Sequence, residues 1–262
     1  MPFALELAVD PGTLAILALV AFIAGFIDAI AGGGGLLTIP ALLTAGLPPH
    51  LVLGTNKLSS TFGACIASYT FYRRKLFNPR QWRNALLGTA VGALLGAILA
   101  QWLPAAWLNQ MLPAVVFACG LYLLFGKAPP APSNVEAPIA QGRQWPQSLS
   151  LGFYDGVAGP GTGAFWTVSS LLLYPLDLLR ASGVARSMNC VSNVAALVVF
   201  ALSGQVAWLL GLCMGLALML GAFFGARTAI RGGSRFIRPV FILVVFALTA
   251  RLAWQHWFAM PA

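Results

Sequence analysis

Two stretches of the sequence set a carboxylate a few residues ahead of a glycine-rich break. Asp28 precedes four consecutive glycines at 32–35, and Asp155 precedes Gly159, Pro160 and Gly161. Helix does not persist cheaply through such runs, because each glycine costs about 1 kcal/mol relative to alanine and proline about 3 kcal/mol. In hydrocarbon the backbone groups freed by a break need partners, so a break survives only when buried in protein or lining a wet cavity. Half-helix N-termini at such a place present N–H groups to an anion, and Gly33, Gly34, Gly161 and Thr162 are the candidate donors. Close helix packing through glycine is the structural alternative. A nucleotide-binding loop is a poor match, since no strand precedes the glycines and no lysine with a hydroxyl residue follows them.

Two cations complete the chemistry-bearing set. Lys57 lies beside Asn56, Ser59, Ser60 and Thr61, and Arg186 beside Ser187, Asn189, Ser192 and Asn193, both inside apolar segments. Cations among hydroxyl and amide donors suit an oxyanion. Lys57, Asn56, Arg186, Asn189 and Asn193 are therefore expected, with the break residues, to bind a small anionic substrate. Alternatively, either cation could snorkel to lipid headgroups. Asp28 and Asp155 read either as coupling sites for a proton or cation, or as structural partners of Lys57, Arg186 and the break N–H groups. No catalytic group, metal site or cofactor is expected. His50 and His256 stand alone, and Cys65, Cys119, Cys190 and Cys213 form no CxxC pair and suit packing.

The elements that must position these residues are membrane helices. Of 262 residues, 59% are hydrophobic and 8% charged, against about 25% charged in soluble domains. Spanning segments of about 20 residues are expected at 13–31, 52–72, 84–103 and 105–126, then at 183–203, 206–226 and 239–258. Between 147 and 177 the apolar pattern is interrupted by the second break. The stretch 127–146, rich in proline and polar residues, reads as a linker. The N-terminus, with Glu6 and Asp10 and no basic residue ahead of its apolar run, does not read as a secretory signal.

The chain also repeats itself. GFIDAIAGGG at 25–34 aligns with GFYDGVAGPG at 152–161, Lys57 with Arg186, Ser60 with Asn189, Gly92 and Gly96 with Gly221 and Gly225, and Pro113 with Pro239. The offsets are 127, 129, 129, 129 and 126 residues, and near-equal offsets in chain order mark an internal repeat. Arg73, Arg74, Lys75, Arg80 and Arg83 fill one turn in the first half, whereas the equivalent turn at 203–206 is uncharged. Conversely the turn at 103–106 is uncharged, while its equivalent carries Arg227, Arg231, Arg235 and Arg238. Basic loops stay cytoplasmic, so the halves are expected to be inverted relative to each other. The net charge of +9 is then a topology signal, not a nucleic-acid footprint.

The expected fold is all-α: a polytopic membrane protein of two inverted repeats, each with about three full spanning helices plus a glycine-broken helical hairpin, about eight transmembrane segments altogether. Repeat 1 is placed at 1–126, a cytoplasmic linker at 127–146 and repeat 2 at 147–262. Loops 73–83 and 227–238 are expected inside and both termini outside. Glycines spaced by four (Gly88, Gly92, Gly96; Gly211, Gly215; Gly221, Gly225) predict smooth helix faces for packing within the bundle, and the same faces would admit a homodimer contact. Trp102, Trp107, Trp208, Trp254 and Trp257 mark the membrane interfaces, where lipid is the partner, and Arg251 is expected to snorkel outward.

The runs GFIDAIAGGGGLLTIP at 25–40, GTNKL at 54–58 and GFYDG at 152–156 closely resemble the TauE/SafE family of sulfite exporters and toluene-sulfonate uptake permeases, in particular its YfcA-type branch. The resemblance covers nearly the whole chain. It implies a small multi-pass permease of the bacterial inner membrane, linked to sulfite, sulfoacetate and related sulfur-containing anions. The positions it carries over are Asp28, 32–35, Asn56 and Lys57, then Asp155, Gly159, Gly161 and Asn193. YfcA-type sequences often have lysine and leucine where this chain has Arg186 and Ser187, which allows a bidentate contact to an oxyanion here. The expected function is secondary transport of a small anion, a sulfur oxyanion or organosulfonate, by alternating access around the paired breaks. A passive anion channel is the runner-up, followed by a membrane enzyme acting on lipid or thiol.

Overall fold

A computed structural model describes residues 10–104, 106–107 and 141–257, with side chains described as far as Gly233. Every regular element among them is a helix: α1 (Pro11–Ala31), α2 (Gly35–Thr44), α3 (Pro49–Arg73), α4 (Arg83–Trp102), α5 (Gln141–Val157), α6 (Thr162–Leu173), α7 (Leu178–Leu202) and α8 (Trp208–Trp257). Three starts are fixed locally. Asp10 caps α1 by accepting the Thr13 N–H at 2.9 Å, and the Thr13 hydroxyl holds its carboxyl below the usual range. Prolines open α1 and α3, where no N–H partner is required. Asp177 caps α7 through the Arg180 N–H at 2.8 Å.

Helices α1, α4, α7 and the Trp208–Gly233 part of α8 are long and apolar enough to cross a bilayer. Helix α3 is as long as α7, at 25 residues, but Thr55, Asn56, Lys57 and Ser59 are buried along it. It is thus wrapped in protein. Helices α2 and α6 have 10 and 12 residues, or about 15 and 18 Å, roughly half of a bilayer core.

The expected segments 13–31, 52–72, 84–103 and 183–203 coincide with α1, α3, α4 and α7 within a few residues. Segments 206–226 and 239–258 both fall on α8, separated only by Gly233, whose φ of 60° and ψ of −164° interrupt the helix. Apart from 106–107, segment 105–126 lies outside the described residues, as does 127–140 of the expected linker. Helix α5 begins at Gln141, ahead of the expected repeat boundary at 147. Its polar first turns serve α4: Gln144 accepts the Ala85 N–H at 3.1 Å and donates to the Gln81 carbonyl at 2.8 Å. One of the donors that a helix start leaves unpaired is thereby satisfied.

Two helix pairs pack through the glycine faces. A Cβ at Gly25 would run into the Leu218 carbonyl, and one at Gly221 or Gly225 into the carbonyl of Phe22 or Phe26, so α1 and α8 meet backbone to backbone. Likewise Gly92 and Gly96 abut the Leu149 and Phe153 carbonyls, and Gly152 and Gly156 those of Thr89 and Ala93, joining α4 to α5. Each pair therefore joins an element from before residue 127 to one after residue 140. The outward faces of α1, α4 and α8 expose Ile16, Leu19, Leu87, Leu95, Leu209 and Leu220, and Trp102, Trp107 and Trp208 are exposed at helix ends. Lipid covers such surfaces at no hydrophobic cost.

Val at position 221 would push into backbone that has nowhere to go. Gly221→Val is expected to lower stability by at least about 2 kcal/mol, visible as a lower melting temperature in detergent. Gly142→Ala is the control, since a Cβ there meets nothing within 4 Å, and it should leave melting unchanged.

Candidate functional site

The two breaks meet at the centre of the bundle. Helix α1 ends at Gly32, whose φ is 87° and whose N–H bonds the Asp28 carbonyl at 2.9 Å. The equivalent Gly159 also has φ 87°, and Gly161, with φ 75°, caps α6. These left-handed values are routine only for glycine. The Ala164 N–H reaches the Gly32 carbonyl at 3.3 Å, a backbone bond from one break to the other. A Cβ on Gly32 would collide with the backbone of Gly163 and Ala164. Glycine at 32 is thus required twice, for its conformation and for the approach.

Two ion pairs tie the helices that carry the carboxylates, α1 and α5, to α7 and α3. Lys57 on α3 donates to the Asp155 carbonyl at 2.5 Å and to its Oδ1 at 2.8 Å, with the two side chains 1% and 2% exposed. Arg186 on α7 donates through Nη1 to the Asp28 carbonyl, and the same nitrogen lies 3.5 Å from Asp28 Oδ2. Each cation therefore answers the carboxylate that precedes the other half's break. The carboxylates also stitch their own breaks. Asp28 Oδ1 accepts the Gly34 N–H at 2.9 Å, and Asp155 accepts from the Thr162 hydroxyl at 3.1 Å and from the Ser192 hydroxyl. Snorkelling is overturned for both cations: Lys57 stands eight residues inside α3, about 12 Å from its start, and its charge is met at that depth.

Asp28, Asn56, Ser60, Asp155, Gly161, Thr162, Asn189 and Asn193 line one cavity, with glycines of both breaks in its wall. Its volume is about 20 Å³, room for about one water. Helices α2 and α6 both begin at this cavity, at Gly35 and Thr162. Of the residues expected to bind substrate, Asn56, Asn189, Asn193, Gly161 and Thr162 come together here. Lys57 and Arg186 stand behind the wall on their carboxylates, and Gly33 and Gly34 belong to the α1–α2 break without lining the cavity. Thr38 was not anticipated: it donates to Asn56 Oδ1 at 2.5 Å and to the Gly34 carbonyl at 3.2 Å, orienting the amide. Its place one turn after Gly34 was the available signal.

Other candidates serve structure. His50 contacts the Leu103 carbonyl at 3.1 Å, joining the start of α3 to the end of α4. Cys65, Cys190 and Cys213 are free thiols; Cys119 and the side chains of Arg251, Trp254, Trp257 and His256 lie outside the described residues. Among the described residues no three histidine, cysteine or acidic side chains gather as metal ligands.

A family model described as "Sulfite exporter TauE/SafE" matches residues 17–252. The chain is 40% identical over 257 residues to a "Probable membrane transporter protein" of Haemophilus influenzae, covering 94% of this chain and 96% of that one. It is 43% identical over 245 residues to a similarly named protein of Sinorhizobium, covering 91% and 92%. It is 37% identical over 265 residues to "Probable membrane transporter protein YfcA" of Escherichia coli, covering 96% of each. No solved structure matches.

The buried Lys57–Asp155 pair predicts its own response to mutation. Asp155→Leu strands a buried ammonium and is expected to cost about 3–5 kcal/mol, whereas adding Lys57→Met to it should recover most of that loss. Thermal melting of the single and double variants in detergent measures both.

Proposed function

The chain belongs to the sulfite exporter TauE/SafE family of membrane transporters, and from that premise we propose that it is a secondary transporter of a small anion, a sulfur oxyanion or organosulfonate. The observation that carries this reading is the pairing of two glycine breaks around one small polar cavity, each pinned by a cation from the other half. Discontinuous helices meeting at the middle of a repeat protein are the common design of secondary carriers. The family description and the amide, hydroxyl and cationic groups gathered there support an oxyanion as cargo.

Charge balance supports coupling. By formal charge Asp28 and Asp155 balance Lys57 and Arg186, so these four residues contribute no net charge to the site. An anion entering it brings an uncompensated charge into a low-dielectric interior, which is expensive. A cation that enters with the anion, a proton in the simplest case, removes that cost. A cavity with room for about one water suits a carrier that closes over its cargo better than a continuous pore.

For topology, the proposal is two inverted repeats at 1–126 and 147–262 in the bacterial inner membrane, with about eight transmembrane segments. Loops 73–83 and 227–238 and the linker 127–146 face the cytoplasm, and both termini lie outside. The exchange of partners, α1 with α8 and α4 with α5, supports this, because equivalent glycines make equivalent contacts. Alternating access then moves one repeat against the other around the breaks.

In proteoliposomes the protein should accumulate sulfite or a small sulfonate against its gradient when a pH gradient is imposed, and stop when an ionophore collapses it. Flux no greater than in empty liposomes would overturn the transport reading. Flux without accumulation would make the protein a channel. For topology, Asn78→Cys and Gly232→Cys, both at exposed positions, should react with an impermeant maleimide only from the cytoplasmic face. Labelling from opposite faces would remove the inversion.

A further inference from the structure

The two ion pairs are equivalent by position and unequal in chemistry. Lys57 spends two bonds on a single residue, the carbonyl and carboxylate of Asp155, at 2.5 and 2.8 Å. Arg186 is fully buried, yet only its Nη1 is engaged, with Asp28. Its Nε and Nη2 are buried and have no hydrogen-bond partner among the described residues. Those two nitrogens form one edge of the guanidinium, with parallel N–H bonds spaced to meet two oxygens of one oxoacid group. An unpaired edge of a buried cation is costly, so a ligand that meets it gains more there than at any satisfied donor nearby.

The surroundings of that edge are also specific. A Cβ built on Gly32 or on Gly163 would stand 2.6 Å from Nη2. Only the bare α-carbons of these two glycines therefore leave the nitrogen its space, and both glycines are in the cavity wall. The Asp28 carboxylate is 13% exposed and its contact with Arg186 is 3.5 Å long, so it competes weakly for the guanidinium.

We infer that the two pairs divide the work: Lys57–Asp155 is a permanent internal clasp, and the Nε–Nη2 edge of Arg186 is the subsite that takes the charged head of the substrate. The inference rests on reading the central cavity as an anion site. The ligand class is an oxoacid anion with two oxygens available to one edge, which includes sulfite, sulfonates and carboxylates and excludes halides. Asp28 is a positioning residue, holding Nη1 so that the other edge faces the breaks. Opening of the cavity beyond its present volume accompanies binding.

The test uses the purified full-length protein in detergent, with thermal melting at constant ionic strength as the binding readout. Sulfite, methanesulfonate and acetate should raise the melting temperature of the wild type, and chloride should not. Arg186→Lys keeps the charge and removes the fork, and should weaken the apparent dissociation constant for methanesulfonate by about tenfold or more. Gly142→Ala, far from the cavity with nothing within 4 Å of the added Cβ, should leave it within about threefold. Asp28→Asn keeps a side-chain acceptor for the Gly34 N–H and removes the competing charge, so it should tighten binding. It supplies a second reading if Arg186→Lys folds poorly. Equal stabilisation by chloride, an unchanged constant in Arg186→Lys, or weaker binding in Asp28→Asn would each overturn the assignment. Proteoliposome flux separates the two levels. Arg186-dependent binding without any flux upholds the subsite and removes transport. Flux with unaltered affinity in Arg186→Lys keeps transport and removes the subsite.

Discussion

Hydrocarbon offers no partner to a charge, so Lys57 and Arg186 have to be answered from inside the protein. The rest of the centre follows from how they are answered. Each cation reaches the carboxylate of the opposite break, and each carboxylate in turn holds the first residues beyond its own break, Gly34 in one case and Thr162 in the other. The breaks can therefore be irregular without being loose. Glycine at 32 and 159 supplies backbone angles that other residues avoid, while the ion pairs fix where those angles occur.

The arrangement also explains how α3 and α7 carry buried polar residues within an apolar bundle. Their polar residues face each other and the cavity, as in the 2.9 Å contact between Ser68 and Ser187. Their lipid cover is supplied by α1, α4 and α8, which carry large apolar residues outward. Most of the buried polar residues thus fall on α3 and α7, while α7 also turns Val194, Val198 and Leu202 outward.

Much of this was legible in the residues themselves. The repeated GFxD motif and the glycine runs located the breaks, and the stripe Gly88, Gly92, Gly96 announced a close helix contact. The partner of each cation was not legible, because sequence equivalence pairs Lys57 with Arg186 and Asp28 with Asp155, whereas the contacts cross between those pairs. Gln144 was equally silent. A glutamine in a proline-flanked polar stretch reads as loop, and only its burial against the start of α4 shows it capping a helix nearly 60 residues earlier. The unequal satisfaction of Lys57 and Arg186 is a matter of ångströms within one cluster, which no spacing rule encodes.

The exchange of helix partners has a consequence for how the chain is made. Gly152 lies 60 residues after Gly92, so α4 meets α5 soon after both are synthesised. Gly221 lies 196 residues after Gly25, which at a bacterial synthesis rate of about 5–20 residues per second is a delay of about 10–40 s. Throughout that interval the glycine face of α1 has no mate. Lipid tails cover that face until α8 arrives, and this part of the bundle closes only when two helices made nearly 200 residues apart come together.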